Sequence, residues 1–241
     1  MLYLIGTGLG NEKDLTLNAL EAIKNADFVY LENYTSFLNF KVKDLEKLTG
    51  KEIIVADRNL VENTDEIVEN AEESNVAFLV IGDVFSATTH ADIFLRAKKR
   101  DIQCKVFHNS SILTAVGDTG LSLYKFGRTA SIPFENDNIK TSYNIMEENG
   151  KMHTLILLDL KPDENKYMGF KDGLNYLIKN GFDAGRNVIV CAALGTNNAT
   201  IKYGKAIDLL NCNIDVYPQC IIIPGELHFM EEDFLKLYKN F

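Results

Sequence analysis

Residues 4–11 read LIGTGLGN, with three glycines at alternate positions directly after the apolar run that opens the chain. A strand followed by glycines and a helix is the setting of a dinucleotide-binding loop. That loop requires G-x-G-x-x-G; Gly6 and Gly8 fit the pattern, but its third position is Asn11. Glu32 closes the second predicted strand at about the distance of a ribose-binding acid. The stretch therefore leaves a nucleotide loop and a tight structural turn both open.

Working outward from this stretch, short apolar or β-branched runs alternate with amphipathic segments along the whole chain. This alternation predicts an α/β protein with mainly parallel sheets. Strands are expected at Leu2–Ile5, Phe28–Leu31, Glu52–Val55, Val76–Ile81, Cys104–Phe107, Arg128–Ile132, His153–Asp159, Asn187–Ala192 and Cys220–Ile223. Helices are expected around Leu17–Ile23 with Asp14 as the N-cap, within 63–74, and at Thr141–Glu148, Phe170–Asn180, Lys202–Leu210 and Glu231–Lys239. The two series of strands predict two α/β lobes, residues 1–120 and 121–241.

Composition narrows the class of protein. The chain has 241 residues, a net charge of −9 and no apolar run near the ~20 residues that span a bilayer. The opening residues are typical of a buried strand, not of a signal peptide, and the four cysteines form no C-x-x-C pair. The cluster RAKKR, residues 96–100, falls at the end of a predicted helix, where cations favour the helix dipole. We therefore expect a cytoplasmic protein that binds neither nucleic acid nor membrane.

Small and polar residues recur where predicted strands end. Asp83 follows a buried strand in VIGDVFSATTHADIF, and Ser111 and Gly195 follow two others. Ligands of α/β sheets bind beyond the carboxyl ends of the strands, so these loops predict a cleft between the two lobes. The sequence contains no metal-ligand spacing and no nucleophile–histidine motif. We expect chemistry that depends on positioning, with no metal.

Several blocks of the chain resemble known proteins. LYLIGTGLGNEKDLTLNALEAIKNADFVYLENYTS resembles the opening of the class III S-adenosylmethionine methyltransferases, which have the tetrapyrrole methylase fold. Within that class, GDVFSATTH, HNSSI, GLSLYKFGRTASIPF and IIIPGELH resemble the diphthine synthase family. The similarity extends from Leu2 to about His228.

The resemblance implies two α/β lobes with S-adenosylmethionine in the cleft between them, S-adenosylhomocysteine as product, and a homodimer. It implies methyl transfer to the 3-amino-3-carboxypropyl group on a histidine of translation elongation factor 2, in diphthamide biosynthesis. Alternatives are a uroporphyrinogen or precorrin methylase of the same fold, an NAD-dependent oxidoreductase suggested by GTGLG and Glu32, and a non-enzymatic binding module.

The resemblance also implies the cofactor-binding positions. They fall on Leu9, Asp83, Ser86, Ser111, Ile112, Leu160, Leu194 and Gln219. Two positions depart from the family pattern: Gln219 replaces the usual histidine and cannot take a charge, and Val84 replaces a proline that would stiffen the loop. No catalytic base is implied. Tyr30, Glu32, Thr88 and His90 are further candidates for lining the cleft, and each one alone fits a structural role better.

Overall fold

The computed structural model describes residues 1–86 and 89–239, apart from the side chain of Asp163. These residues form two compact units. The first contains Met1–Ala115 together with Gly195–Asn197, and the second contains Val116–Leu194 and the chain from Asn198 onward. Each unit is built around its own five-stranded sheet.

The first unit has an entirely parallel sheet, with strand order β3-β2-β4-β1-β5. Its strands are β1 Leu2–Gly6, β2 Phe28–Glu32, β3 Ile54–Ala56, β4 Val76–Val80 and β5 Cys104–Phe107. Its helices are α1 Leu17–Lys24, α2 Val42–Thr49, α3 Arg58–Asn63, α4 Glu66–Glu73, α5 Ala91–Lys99 and α6 Ile112–Ala115. The parallel sheet expected for this half of the chain is confirmed.

Two hydrophobic cores cover the two faces of this sheet. Val76, Phe78 and Val80 belong to one core, whereas Ala77 and Leu79 belong to the other. Successive side chains of a strand point to opposite faces, so both sets of β4 side chains are buried. This explains why β4 is a continuous apolar run in the sequence.

Two local predictions in this unit have different outcomes. The N-cap of α1 is Thr16, whose hydroxyl accepts a hydrogen bond from Ala19 N, so the assignment of Asp14 as N-cap was wrong. Asp14 instead ends a short 3-10 turn, and its carboxylate accepts a hydrogen bond from Gly10 N at 2.7 Å. The RAKKR segment does end a helix, as expected, since α5 finishes at Lys99. Arg100 pairs there with Asp65 at 2.7 Å and with Glu72 at 2.8 Å, so its charge is already balanced.

The second unit has a sheet of order β11-β10-β12-β7-β6 and a separate two-stranded hairpin, β8-β9. Its strands are β6 Ala130–Ile132, β7 Thr154–Leu158, β8 Leu160–Lys161, β9 Lys166–Tyr167, β10 Asn187–Ala192, β11 Thr200–Lys205 and β12 Gln219–Ile223. Its helices are α7 Thr141–Asn149, α8 Phe170–Lys179, α9 Ala206–Leu209 and α10 Phe229–Leu235, the last followed by a 3-10 turn at Lys236–Tyr238.

The expectation of a parallel sheet is wrong for this second unit. Only the pair β6–β7 is parallel; β7–β12, β12–β10 and β10–β11 are antiparallel. The link between β10 and β11 is shorter than the dozen or more residues that a parallel crossover requires. The helix expected at Lys202–Leu210 is also wrong over its first half, because Thr200–Lys205 is strand β11 and only Ala206–Leu209 is helical.

Candidate functional site

The carboxyl edge of the first sheet gathers most of the predicted site residues of the first unit. Because the strands are parallel, the loops that follow them leave the sheet at one edge. The three neighbouring strands β5, β1 and β4 are followed by residues 108–112, 6–10 and 82–86. We call these three loops the glycine edge. It contains five of the predicted cofactor-binding residues: Leu9, Asp83, Ser86, Ser111 and Ile112.

The glycines of LIGTGLGN join two of these loops. Gly8 and Gly82 exchange two backbone hydrogen bonds, each of 3.0 Å. Both have positive φ, +78° and +83°, which side-chain-bearing residues rarely adopt. A Cβ atom on Gly6 would lie 2.6 Å from the carbonyl oxygen of Gly82. The glycines therefore let two strand ends approach each other closely enough for their backbones to pair, and the paired backbone is buried.

Asp83 is the centre of the glycine edge. Its Oδ1 accepts hydrogen bonds from Phe85 N at 3.1 Å and Ser86 Oγ at 3.0 Å. Its Oδ2 accepts from Asn109 N at 3.0 Å and lies 2.8 Å from His108 Nδ1. Burial alone would raise the pKa of this carboxyl, but these donors outweigh it and lower the pKa. Asp83 is an anion that ties the loop after β4 to the loop after β5.

Asn109 is a site residue that the sequence analysis missed. Its Nδ2 donates to the carbonyl oxygens of Gly6 at 3.0 Å and of Asp14 at 2.9 Å, so it attaches the loop after β5 to the glycine loop. Its position in HNSS directly after a predicted strand was the available signal. The contact is made across about a hundred residues of chain, which a local pattern does not reveal.

The remaining predicted residues of the glycine edge lie at its surface or just beneath it. Leu9 is half-buried, and its carbonyl oxygen accepts a hydrogen bond from Asn39 Nδ2 at 2.9 Å. Ser111 is buried, and its backbone N–H donates to Thr114 Oγ1 at 3.2 Å as α6 begins at Ile112. Apolar, hydroxyl and backbone groups and the His108 ring thus surround the carboxylate of Asp83.

Leu160 and Leu194 belong to the second unit. Leu160 is half-buried in the β8–β9 hairpin opposite Tyr167. Leu194 is buried after β10, and the next residue, Gly195, belongs to the first unit. A Cβ on Gly195 would lie 2.8 Å from Leu9 Cβ, so Gly195 is packed against a predicted cofactor residue.

Gln219 is 5% exposed and its side chain is already occupied. Its Oε1 accepts from Phe170 N at 2.7 Å, and its Nε2 donates to the carbonyl oxygens of Ile214 and Val216, each at 2.9 Å. This amide fixes the start of α8 and the chain before β12. Its assignment as a cofactor residue stays a prediction; both N–H donors of the side chain are used, and Oε1 has one further acceptor site.

Glu32 has a structural role that removes the basis for a nicotinamide cofactor. Its carboxylate is fully buried and accepts hydrogen bonds from the backbone N–H groups of Tyr34, Thr35 and Ile81 and from the Thr35 hydroxyl. Burial opposes ionisation, yet the His90 side chain and the Thr35 groups lower the pKa of this carboxyl. Since its acceptor sites are filled, Glu32 is not available to a ribose.

Two other lining candidates, Tyr30 and His90, are buried. The Tyr30 hydroxyl donates to Glu66 at 2.9 Å, and burial together with this carboxylate raises the pKa of Tyr30 to about 12. His90 is 1% exposed, its ring lies edge-on to Phe78 with centroids 5.2 Å apart, and its Nε2 lies 3.9 Å from Glu32 Oε1. Thr88 lies outside the described residues.

His153 lies in a buried polar cluster of the second unit, where its side chain has a structural role. Its Nδ1 accepts a hydrogen bond from Gly225 N at 3.0 Å, which leaves Nε2 to donate to Glu231 at 3.3 Å. Burial lowers the pKa of His153. The Glu231 carboxylate also pairs with the Lys125 ammonium group and accepts hydrogen bonds from the backbone N–H groups of Ser122 and His228. Burial alone would raise the pKa of Glu231, but these donors outweigh it and lower the pKa. This cluster fastens the start of α10.

Two classes of site are absent from the described part of the chain. Residues 1–86 and 89–239 contain no group of three His, Cys, Asp or Glu side chains that could hold a metal ion. Within the same residues, no helix has the length and apolarity needed to cross a membrane.

Comparison with known proteins assigns the class. Residues 1–209 match the family of Tetrapyrrole (Corrin/Porphyrin) Methylases. The chain therefore belongs to the tetrapyrrole methylase family and is a methyltransferase.

Within that family the similarity is to diphthine synthases, to which the chain belongs. It is 41% identical to the diphthine synthase of Methanococcus aeolicus, covering 98% of this chain and 97% of that protein. It is 38% identical to the Arabidopsis thaliana protein named "Probable diphthine methyl ester synthase", covering 99% of this chain and 98% of that protein. A crystal structure of a diphthine synthase, 30% identical, superimposes with a TM-score of 0.93 over 99% of this chain and 95% of that one.

Proposed function

We propose that this protein transfers methyl groups from S-adenosylmethionine to the 3-amino-3-carboxypropyl group on a histidine of translation elongation factor 2. The observation that carries the proposal is the full-length identity of about 41% to a diphthine synthase. The glycine edge supports it, because Leu9, Asp83, Ser86, Ser111 and Ile112 gather at one edge of the sheet.

The chemistry of the glycine edge suits a cationic, partly apolar ligand. A sulfonium donor carries a positive charge, and Asp83 is an anion among small and apolar groups. A Cβ on Gly82 would meet Leu9 Cδ2 at 3.7 Å and Ser110 O at 3.8 Å, which are ordinary contact distances, so the absent side chain leaves room beside Leu9. We propose that these residues hold the donor, together with Leu160 and Leu194 from the second unit and the backbone of Gln219.

When bound, S-adenosylmethionine supplies an activated methyl group that a nucleophile can displace without a metal. The acceptor nitrogen or oxygen forms the new bond to the methyl carbon, and the electron pair of the breaking bond stays on sulfur, giving S-adenosylhomocysteine. An acceptor carboxylate is already ionised at neutral pH, whereas an amine must first lose a proton. The described residues of the glycine edge contribute binding and orientation, which supply much of the rate in well-oriented reactions.

The proposal extends to the setting of the reaction. We propose a cytoplasmic homodimer whose partner is elongation factor 2, with the lobes 1–120 and 121–241 both contributing to the cofactor site. Four unpaired thiols, at Cys104, Cys191, Cys212 and Cys220, agree with a reducing compartment.

A ligand titration tests the donor. The protein is titrated with S-adenosylhomocysteine and, separately, with NAD, while thermal unfolding is followed. A ligand at 100 times its Kd adds about 2.7 kcal/mol to the stability of the native state. We expect a rise in Tm with S-adenosylhomocysteine alone. A rise with NAD alone would reject the proposal.

A labelled-methyl assay tests the acceptor. Elongation factor 2 carrying the unmethylated intermediate is compared with uroporphyrinogen, and unmodified elongation factor 2 is the control. Label on the intermediate-bearing factor alone is expected; label on the macrocycle would assign the alternative tetrapyrrole activity. Mild alkali then separates the two acceptor atoms, because it releases an ester methyl as methanol and leaves an N-methyl in place.

A further inference from the structure

A second polar group of residues lies at the same carboxyl edge, beyond the glycine edge. Three of its four residues follow β2 and β3, the two strands on the far side of β4 from β1, and the fourth lies just before α5. The group consists of Tyr34, His90, Arg58 and Glu62, which we call the Tyr34 cluster. None of the cofactor-binding positions predicted above falls in it.

Arg58 and Glu62 are the exposed charges of this cluster. They lie four residues apart on α3, so they share one face of that helix. The guanidinium carbon of Arg58 lies 5.1 Å above the centre of the Tyr34 ring. Glu62 accepts a weak hydrogen bond of 3.4 Å from Thr89 Oγ1. Among the described residues, Arg58 has no carboxylate partner, and the two opposite charges do not pair with each other.

Beneath these charges are buried polar atoms without partners. Tyr34 is 2% exposed and His90 is 1% exposed. Within the described part of the chain, both ring nitrogens of His90 have no hydrogen-bond partner, and the Tyr34 hydroxyl lies near Glu62 and Thr89 without a hydrogen bond of good geometry. Burial and the nearby charges of Glu62 and Glu32 raise the pKa of Tyr34, so its hydroxyl keeps its proton. Each such orphaned group costs about 1–3 kcal/mol, and so many at one place indicate a site that a ligand completes.

We propose that the Tyr34 cluster binds the α-amino-acid end of the methyl acceptor, with Arg58 on its carboxylate and Glu62 on its amino group, which must lose a proton before its nitrogen can accept a methyl. This inference rests on the proposed function. A planar guanidinium is the preferred partner of a carboxylate, and stacking on Tyr34 holds it in place. The buried carboxylate of Glu32 positions Tyr34 through its bond to Tyr34 N at 3.1 Å.

The order of strands favours the acceptor over the donor as occupant. The donor residues predicted in this unit follow β5, β1 and β4, whereas Tyr34 follows β2 and the two charged residues, Arg58 and Glu62, follow β3. S-adenosylmethionine also has an α-amino-acid end, so the experiment must distinguish binding of the donor from binding of the acceptor.

The experiment compares Arg58→Ala, Arg58→Lys and Glu62→Gln with the unaltered protein. Arg186→Ala is the matched control, since the Arg186 guanidinium also stacks on an aromatic ring, 5.0 Å from the centre of Phe182, in the other unit. Calorimetry gives the Kd of S-adenosylhomocysteine, and labelled-methyl kinetics give the KM of the intermediate-bearing elongation factor 2.

We expect Arg58→Ala to raise the KM of the elongation factor about 10- to 100-fold, as for loss of a charge-assisted contact. Arg58→Lys should restore part of this, Glu62→Gln should raise the KM less, and the Kd of S-adenosylhomocysteine should stay within about twofold in all variants. If Arg58→Ala weakens the binding of S-adenosylhomocysteine and leaves the KM of the elongation factor unchanged, the cluster binds the donor and the inference is overturned. The inference is also overturned if the KM of Arg58→Ala equals that of Arg186→Ala. If the unaltered protein neither binds S-adenosylhomocysteine nor methylates the factor, the proposed function itself fails.

Discussion

Replacing Asp83 by alanine removes the one carboxylate of the glycine edge, and the structure gives the size of the effect. Four groups lose their acceptor: two backbone N–H groups, the Ser86 hydroxyl and the His108 ring. Four charged hydrogen bonds would sum to about 6–12 kcal/mol at face value. His108 and the neighbouring loop are open to water, however, which replaces part of what is lost.

We therefore expect Asp83→Ala to lower the free energy of unfolding by about 2–3 kcal/mol. For a chain of this length that corresponds to a fall in Tm of about 4–12 °C, which leaves the protein folded at 25 °C. Affinity for S-adenosylhomocysteine should fall at least about tenfold, because the loops after β4 and β5 are no longer tied together. Differential scanning calorimetry and isothermal titration measure the two effects.

Asp44→Ala is the matched control. Its carboxylate forms an exposed pair with Lys47 at 3.0 Å, the kind of pair that contributes about 0–1 kcal/mol. We expect neither stability nor ligand affinity to change measurably in this variant. An Asp83→Ala variant with unchanged turnover and ligand affinity would refute the placement of the donor site.

The pH dependence gives an independent check on the same carboxylate. The folded-state pKa of Asp83 is lowered below its ordinary value of 3.8. A carboxyl shifted in this direction contributes stability above the unfolded pKa, and the contribution disappears as pH falls through the folded pKa. The stability gap between unaltered protein and Asp83→Ala should therefore be constant from pH 7 to about 5 and narrow below about 3.8. A gap that does not narrow would show that the charge of Asp83 contributes nothing.

Three further substitutions have defined outcomes. Gly6→Ala should lower the free energy of unfolding, measured by chemical denaturation, by at least about 2 kcal/mol, because its Cβ would lie 2.6 Å from Gly82 O. Gly117→Ala is the control, and it should lower the free energy of unfolding far less because its nearest contact is at 3.7 Å. Gln219→Leu should lower the free energy of unfolding by about 2–4 kcal/mol, because three backbone groups lose their partner. The Kd of S-adenosylhomocysteine should stay within about threefold; a larger loss of affinity would show that the side chain contacts the cofactor directly. Glu231→Gln should flatten the acid limb of a urea-stability profile below pH 4.5, because a lowered carboxyl pKa gives stability that is lost as pH falls; an unchanged limb would contradict this.

The first sheet could be predicted because the burial of its strands is visible within short stretches of sequence. The run Val76–Val80 is apolar at every position since both faces of β4 are covered, and this pattern differs from that of a half-exposed strand. The glycines of LIGTGLGN left a nucleotide loop and a tight turn both open; the pairing of Gly8 with Gly82 gives them a structural role that the local sequence did not specify.

The second sheet was misjudged because its decisive contacts are not local. TIKYGK, residues 200–205, contains few apolar residues, and its pairing with β10 supplies the hydrogen bonds that make it a strand. Its short link to β10 was a usable signal for antiparallel pairing. Asn109 was missed for a related reason, because its partner Gly6 lies at the opposite end of the first unit's sequence.

The polar side chains that the sequence marked as chemical turn out to be committed to the protein itself. Asp83, Glu32 and Gln219 each have their main hydrogen-bonding positions filled by groups of the chain. A carboxylate whose lone pairs are filled in this way binds a proton poorly and acts badly as a general base, but it fixes the loops that it joins. If the glycine edge holds the donor as proposed, it would promote methyl transfer through the placement of backbone and of the Asp83 charge. Substitutions there should change ligand affinity and orientation, and the pH dependence of turnover should follow the acceptor, not these three residues.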